Sequence, residues 1–385
     1  MHIRHLSLVD FRSWPAVDLP LEPGPTVLVG RNGAGKTNLL EAIGYLATLG
    51  SHRVATDAAL VRRGTDRARV AGAVVSDGRA LTVEVDITAG KANKARINKA
   101  PQRRARDILG IVRTVLFAPE DLALVRGDPG DRRRFLDELL VMRAPRLAGV
   151  KADYERILKQ RSTLLKSAGV ARRAGSQLAT LDVWDEHLAV TGAELLAGRL
   201  ALVDELRPHL ATRYSAIAPE SSAADIAYRT MLFGSGDGGE GVESGDRGPR
   251  DAAALADALR GEMQRLRTQE LERGVCLVGP HRDDLDIRLH DGPAKGFASH
   301  GESWSLALAL RLASFELLRD DGVEPILLLD DVFAELDTSR RDTLTDIAAG
   351  AEQAVITAAV AADVPARFTG MTLPVAEGAV GTRPS

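Results

Sequence analysis

Residues Gly30-Arg31-Asn32-Gly33-Ala34-Gly35-Lys36-Thr37 fill every position of the pattern G-x-x-x-x-G-K-[ST], and their types dictate phosphate chemistry. Glycines let successive backbone N–H groups turn inward onto phosphate oxygens, and a following helix adds its positive N-terminal end. Lys36 reaches β- and γ-phosphates as a point charge, and the Thr37 hydroxyl is a ligand for Mg²⁺. With Asn38, these residues form the candidate ATP-binding set. A second signal answers the first: Ile326-Leu327-Leu328-Leu329 is an apolar run closed by Asp330 and Asp331. The end of a buried strand is where a P-loop site holds its metal, so Asp330 joins Thr37 as the candidate Mg²⁺ ligand. Asp331 points another way and is placed to orient or deprotonate an attacking water. Lys36 and Asp331 are therefore the candidate catalytic residues.

Two shorter segments flank the acidic pair. Ser299-His300-Gly301-Glu302 precedes a helical stripe of Leu306, Leu310, Ala313 and Leu317. The turn offers a hydroxyl, flexible backbone N–H groups and a helix N-terminus, which together make an anion site. It equally fits a capping box, with Ser299 at the N-cap and Glu302 three residues on. The two readings are compatible. Downstream lies Ala334-Glu335-Leu336-Asp337.

The elements that must position these groups follow from periodicity. Ile3 to Phe11 reads as a strand, and Thr26-Val27-Leu28-Val29, stopping at Gly30, as a buried parallel strand. From Thr37 to Leu49, residues Leu39, Leu40, Ile43 and Leu46 recur at helical spacing, so the Gly-rich loop lies between strand and helix. Val70–Val75 and Leu81–Ile87 alternate like strands. After Pro119 helical stripes take over, among them Phe135, Leu136, Leu139 and Leu140, then Leu181 through Leu206, then Leu255 through Leu266. Gly234 to Gly248 reads as a flexible loop. Strands return after Val275, with Val355-Ile356-Thr357 beside the acidic run. Pro374, the nearby glycines and Pro384 suggest a frayed tail. The expected organisation is α/β: a P-loop ATPase head in two halves, 1–125 and 273–370, a mostly helical insertion at 126–272, and a flexible tail at 371–385.

Composition limits the alternatives. The chain has 385 residues, 45% of them apolar, enough for two or three cores. Acids and bases nearly cancel, at a formal charge of −3, so any basic surface is local. Cys276 is the only cysteine and can form neither an intrachain disulfide nor a zinc cluster, which fits a reducing cytosol. It reads as a small buried residue. The N-terminus lacks an apolar signal region, and no run approaches about 18 apolar residues. A cytoplasmic protein is expected.

One local basic stretch stands out. Lys91, Lys94, Arg96, Lys99, Arg103, Arg104 and Arg106 follow one another with no acid between them. They are the candidate DNA contacts, with a solvated basic hairpin as the plain reading. Binding through phosphates would weaken with salt, log K falling by about 0.9 per contact per tenfold rise in salt on duplex DNA. Arg132–Arg134 could serve DNA or pair within the helical region. Aromatics are only 4% of the chain, so backbone readout rather than base stacking is expected.

The order P-loop, insertion, Ser-x-Gly-Glu, apolar strand with Asp-Asp, and A-E-L-D resembles the ABC-type ATPase heads of the SMC group. Within that group the chain resembles the RecF family. The residues that carry this are Leu8-Val9-Asp10-Phe11-Arg12, Ser51-His52-Arg53, Pro119-Glu120-Asp121-Leu122, Val125-Arg126-Gly127-Asp128-Pro129 and Arg132-Arg133-Arg134-Phe135-Leu136-Asp137. Gly279-Pro280-His281-Arg282-Asp283-Asp284 and Leu329 to Asp337 belong to the same set. The likeness spans residues 1 to about 345.

The resemblance implies an ATP-dependent DNA-binding protein of recombinational repair, replication and the SOS response, acting at single-strand gaps. Two copies would sandwich ATP, the signature residues Ser299, Gly301 and Glu302 of one completing the site of the other, with Asp337 in the D-loop. RecR would be a partner, with RecO and RecA acting alongside. Hydrolysis, weak and DNA-stimulated, would release the dimer. Asp331 stands where many ABC ATPases carry Glu, and Thr357-Ala358-Ala359 where transporter-type ATPases place a switch histidine. His300 stands where the family more often has glutamine. A transporter subunit would show a full Leu-Ser-Gly-Gly-Gln turn, a switch histidine and a shorter insertion. A small-molecule kinase would not need the Ser-x-Gly-Glu and A-E-L-D segments.

Overall fold

Alternating burial marks the outer antiparallel strands and unbroken burial the central parallel ones, as the two kinds of sheet require. The structure, a computed structural model, describes residues 1–170, 176–221, 223–233, 250–290, 292–365, 368–376 and 378–381. The expected loop at 234–248 and the end of the expected tail, 382–385, lie outside the described residues. In chain order the elements begin β1 (His2–Phe11), β2 (Trp14–Pro20), β3 (Gly24–Val29), α1 (Lys36–Thr48), β4 (Arg67–Ser76), β5 (Arg79–Thr88), β6 (Lys94–Ile97), β7 (Ala100–Pro101) and β8 (Thr114–Phe117). They continue with α2 (Leu122–Arg126), α3 (Pro129–Arg143), α4 (Leu147–Val170), α5 (Ser176–Ile217), β9 (Ala224–Arg229), α6 (Ala252–Arg273), β10 (Asp284–Leu289) and β11 (Gly292–Pro293). The last are α7 (His300–Asp320), β12 (Ile326–Asp330), α8 (Thr338–Gly350), β13 (Gln353–Ala358), β14 (Met371–Ala376) and β15 (Ala379–Val380).

Two compact units result. The first gathers Met1–Val125, His209–Ala223 and the described part of Ala298–Ser385; the second gathers the described parts of Arg126–Pro208 and Ala224–Phe297. In the first unit one sheet runs β2-β1-β4-β5-β6-β7, all antiparallel, and another runs β15-β14-β3-β13-β12-β8. From β14 to β8 the second sheet is parallel throughout. Helix α1 packs between the two sheets. Leu39, Leu40, Ile43 and Leu46 are fully buried among Leu6, Leu8 and Val70 of one sheet and Leu28, Leu328 and Val355 of the other. Each such leucine contributes about 1.5–3 kcal/mol by leaving water. The helix carrying Lys36 and Thr37 is thus held on both faces.

The second unit contains α3, α4, α6, residues 176–208 of α5, and the small sheet β11-β10-β9. Arg161 of α4, fully buried, donates to Asp185 of α5 at 2.6 Å and Glu270 of α6 at 2.5 Å, tying three helices together. Cys276 is buried as expected, its Sγ 3.2 Å from Arg161.

The structure revises three boundaries. Residues 273–297, expected in the head, stay with the lobe because β10 and β11 pair with each other and β10 with β9. Residues 209–223, expected in the lobe, belong to the head unit, where Arg213 pairs with Glu316 of α7. The expected tail is wrong for Met371–Ala376, which form β14 in register with β3. Pro374 suggested fraying. Its strand is paired on one side by β3 and on the other only by the two-residue β15, and a near-edge position tolerates a missing N–H.

Candidate nucleotide-binding site

Strand order brings the site together. In the sequence β3-β13-β12 three parallel carboxyl ends lie side by side, the place where open α/β sheets receive ligands. β3 runs into the Gly-rich loop, β12 ends at Asp330, and β13 lies between them with Thr357 in register with Asp330 on one side and Leu28 on the other.

The loop is fixed from several directions. Gly30 donates its N–H to the Ala358 carbonyl at 3.2 Å, and a Cβ there would stand 2.2 Å from the Val375 carbonyl oxygen of β14. Gly35 has φ of +99°, and Trp14 Nε1 donates to its carbonyl at 3.1 Å. Lys36, buried to 6% exposure, donates to the carbonyls of Gly30 at 2.6 Å and Arg31 at 3.2 Å, so its ammonium sits inside the loop.

Thr37 and Asp330, 293 positions apart, meet: the Thr37 hydroxyl donates to Asp330 Oδ1 at 2.9 Å. Two hard oxygen donors side by side are what Mg²⁺ takes from a protein, the rest of its octahedron being phosphate and water. Thr357 Oγ1 donates to the same Asp330 oxygen at 2.7 Å and accepts the Asp331 N–H at 2.8 Å. Asp331 adopts φ of +52°, a left-handed conformation uncommon outside glycine. A cavity of about 300 Å³ opens here. It is lined by Asn32, Gly33, Gly35, Lys36, Thr37 and Asn38 of the loop and helix start, together with Arg53, Asp331 and Thr357.

Behind the cavity lies a network that periodicity did not reveal. Glu41 of α1, fully buried, is held by the Arg12 guanidinium at 2.7 and 2.5 Å and accepts a hydrogen bond from Ser51. Burial pushes the Glu41 carboxyl up, but the Arg12 and Ser51 hydrogen bonds and the Arg12 charge outweigh it and hold it below the ordinary carboxylate range. Arg53, two residues beyond Ser51, donates to Asn38 Oδ1 at 3.1 Å, and Asn38 donates to Ser13 at 2.9 Å. The segments around Arg12 and Ser51-His52-Arg53 thus form one side of the site. Burial also pushes the His52 imidazole below its usual range, against the pull of Glu120, Glu41 and Asp330.

Ser299 is the N-cap of α7, its hydroxyl accepting from the Glu302 N–H at 3.2 Å while Glu302 accepts from the Ser299 N–H at 2.8 Å. The capping box is real, and Ser299 and His300 remain exposed. Asp337 caps α8, accepting from the Arg340 N–H at 2.9 Å and from its guanidinium at 2.7 Å. A Cβ on Gly301 would lie 3.5 Å from Arg340 Nη1, so the two segments are neighbours. Neither contributes to the walls of the phosphate-side cavity. Helix α7 is anchored to the end of β8: Arg311 binds Asp121 at 2.6 Å and Trp304 meets Phe117 edge-on at 5.7 Å.

The basic stretch divides. Lys91, Lys94, Lys99, Arg103 and Arg104 are exposed and Arg106 is half-buried. Arg96 is a correction: it binds Asp86 at 2.8 Å and Glu84 at 3.5 Å on the neighbouring strand β5. In the second unit Arg132 grips Asp284 at 2.7 and 2.9 Å and Arg133 donates to the Asp283 carbonyl at 2.7 Å. These two arginines make the internal pairing that the second reading allowed.

The chain matches the family described as RecF/RecN/SMC N terminal domain over residues 2–364. The chain is 59% identical to a DNA replication and repair protein RecF of Frankia alni, covering 99% of both chains. It is 58% identical to the protein of the same name from Rhodococcus erythropolis, covering 95% of this chain and 91% of that one. A solved structure of the recombination mediator protein RecF with ATPrS, in the RecFOR pathway, superposes with a TM-score of 0.86 at 26% identity, covering 99% of this chain and 97% of the other. A Pyrococcus furiosus Smc head domain shares the fold at a TM-score of 0.51 and 14% identity, covering 99% of this chain and 95% of the other.

Proposed function

This chain belongs to the RecF branch of the RecF/RecN/SMC family, and from that membership we propose that it is a cytoplasmic ATP-switched DNA-binding protein of replication and recombinational repair. The observation that carries the reading is the junction of Thr37, Asp330 and Thr357 beside Lys36 at the adjoining ends of β3, β12 and β13. Backbone N–H groups of the Gly33–Thr37 turn and the N-terminus of α1 bind the phosphates of ATP. Lys36 exchanges its loop carbonyls for the β- and γ-phosphates. Thr37 and Asp330 would hold Mg²⁺, which would offset the charge of the phosphates. Asp331 orients the attacking water and accepts its proton. Ser299, Gly301 and Glu302 present a capped helix end to the nucleotide of a second copy, with Asp337 and Arg340 beside them. Weak, DNA-stimulated hydrolysis then ends the dimer.

The exposed cations Lys91, Lys94, Lys99, Arg103 and Arg104 are the proposed phosphate contacts at single-strand gaps, through the DNA backbone and without base sequence. RecR is the proposed protein partner, with RecO and RecA acting in the same pathway. The test is binding to a gapped duplex at two salt concentrations with ATP, with ADP and without nucleotide, alongside light scattering for mass. ATP alone should double the mass and tighten DNA binding, and raised salt should weaken it. Absence of DNA binding in every nucleotide state would leave an ATP switch acting on a partner protein.

A further inference from the structure

We propose that the Thr357 hydroxyl is a positioning group that couples the metal-binding carboxylate to the water-activating one; the inference rests on the ATP-site reading above. Thr357 lies on β13, between the strand that leads into the P-loop and the strand that ends at Asp330, and is 1% exposed. Its hydroxyl has one hydrogen to donate and lone pairs to accept with. The hydrogen goes to Asp330 Oδ1 at 2.7 Å, and a lone pair takes the Asp331 N–H at 2.8 Å. Both bonds are made at once, so the rotor has one orientation, and a β-branched side chain is stiff about χ1 to begin with.

Each bond does a different job. Asp330 Oδ1 also accepts from Thr37, the other candidate ligand. With Oδ1 held by Thr357, the carboxylate cannot swing freely, and the direction its second oxygen faces is set by β13 rather than by the end of β12. The bond from Asp331 N–H secures a left-handed residue that no regular strand would hold. That turn determines where the Asp331 side chain points, and Asp331 and Thr357 line the same cavity. A single hydroxyl therefore sets the metal ligand and the water-orienting group relative to each other. Valine would fill the same space and satisfy neither partner.

The experiment measures nucleotide affinity with Mg²⁺ chelated, the Mg²⁺ concentration that half-maximally stabilises the ATP complex against heat, and turnover. The proteins are the parent, Thr357→Val, Thr357→Ser and Thr357→Ala. In Thr357→Val the metal-free ATP affinity should stay within about twofold, the Mg²⁺ requirement should rise about tenfold and turnover should fall at least as far, as expected for lost hydrogen bonds to charged or buried groups. Thr357→Ser should restore both, and Thr357→Ala should behave like the valine variant. The alanine change decides the matter should valine fail to fold, as judged by circular dichroism and a nucleotide-free melt. Parental Mg²⁺ dependence in a folded variant lacking the hydroxyl would overturn the proposal. So would an equal loss of ATP binding with and without Mg²⁺, which means general collapse of the site. A parent that binds no ATP would instead overturn the site reading itself, so the two failures are distinct.

Discussion

At the scale of single residues, legibility depended on whether partners were neighbours in sequence. Gly30 to Thr37 and Asp330 could be read because each motif is contiguous and its chemistry is local. Glu41 could not: a lone acid in an apolar helix looks like an exposed position, yet its partner Arg12 lies 29 residues away. Replacing Glu41 with Gln leaves the half-buried Arg12 guanidinium with a neutral partner, a loss expected to cost about 1.5–3 kcal/mol, as for hydrogen bonds to charged groups. A thermal melt of Glu41→Gln at pH 7 should drop by several degrees, and the gap from the parent should narrow as the pH falls. Because the folded carboxyl is held below its ordinary pKa, its contribution is present above that ordinary value and disappears as pH falls through the lowered one. A gap unchanged by acid would rule out the charged pair as its source. The ion pairs of Arg96 were hidden for the same reason as those of Glu41. The stretch has no acid along the chain, but Asp86 and Glu84 stand across the sheet, where cross-strand neighbours are set by register.

At the scale of elements, helices and central strands declared themselves by period, and what escaped was pairing. Nothing in Met371–Ala376 announced a strand, since its apolar pattern is broken by Pro374 and its order comes from pairing with β3 and the short β15. Yet β14 shapes the phosphate loop, because the Val375 carbonyl occupies the space a side chain at residue 30 would need. Gly30→Ala must push β14 or the loop aside, an overpacking expected to cost about 1–3 kcal/mol. ATP affinity should fall about tenfold, with faster amide hydrogen exchange in β14 and little change in β4 or β5. Unchanged exchange in β14 would show that this strand does not buttress the loop. Strand β9 was missed similarly, and with it the pairing to β10 that attaches residues 273–297 to the helical unit.

At the scale of the whole molecule, the capped end of α7 is the face that the proposed function assigns to a second copy. Ser299 and His300 are exposed, and neither belongs to the cavity around Lys36. Ser299→Arg should leave ATP binding by the single chain near parental while abolishing the ATP-dependent doubling of mass. It should also lower the melt slightly through the lost cap, about 1 kcal/mol, which Ser299→Asn retains. Normal doubling in Ser299→Arg would exclude this face as the dimer contact. The order of strands carries a further consequence, in the time domain of protein synthesis. β3 has two sheet neighbours, β13 and β14, and both are encoded near the end of the chain. At about 5–20 residues per second, the P-loop strand waits on the order of tens of seconds on the ribosome before either neighbour emerges. During that interval Val27-Leu28-Val29 has no strand to pair with on either edge. A chain that stops before Gln353 lacks both partners of β3, so an ordered P-loop strand is acquired only after β13 and β14 have been made.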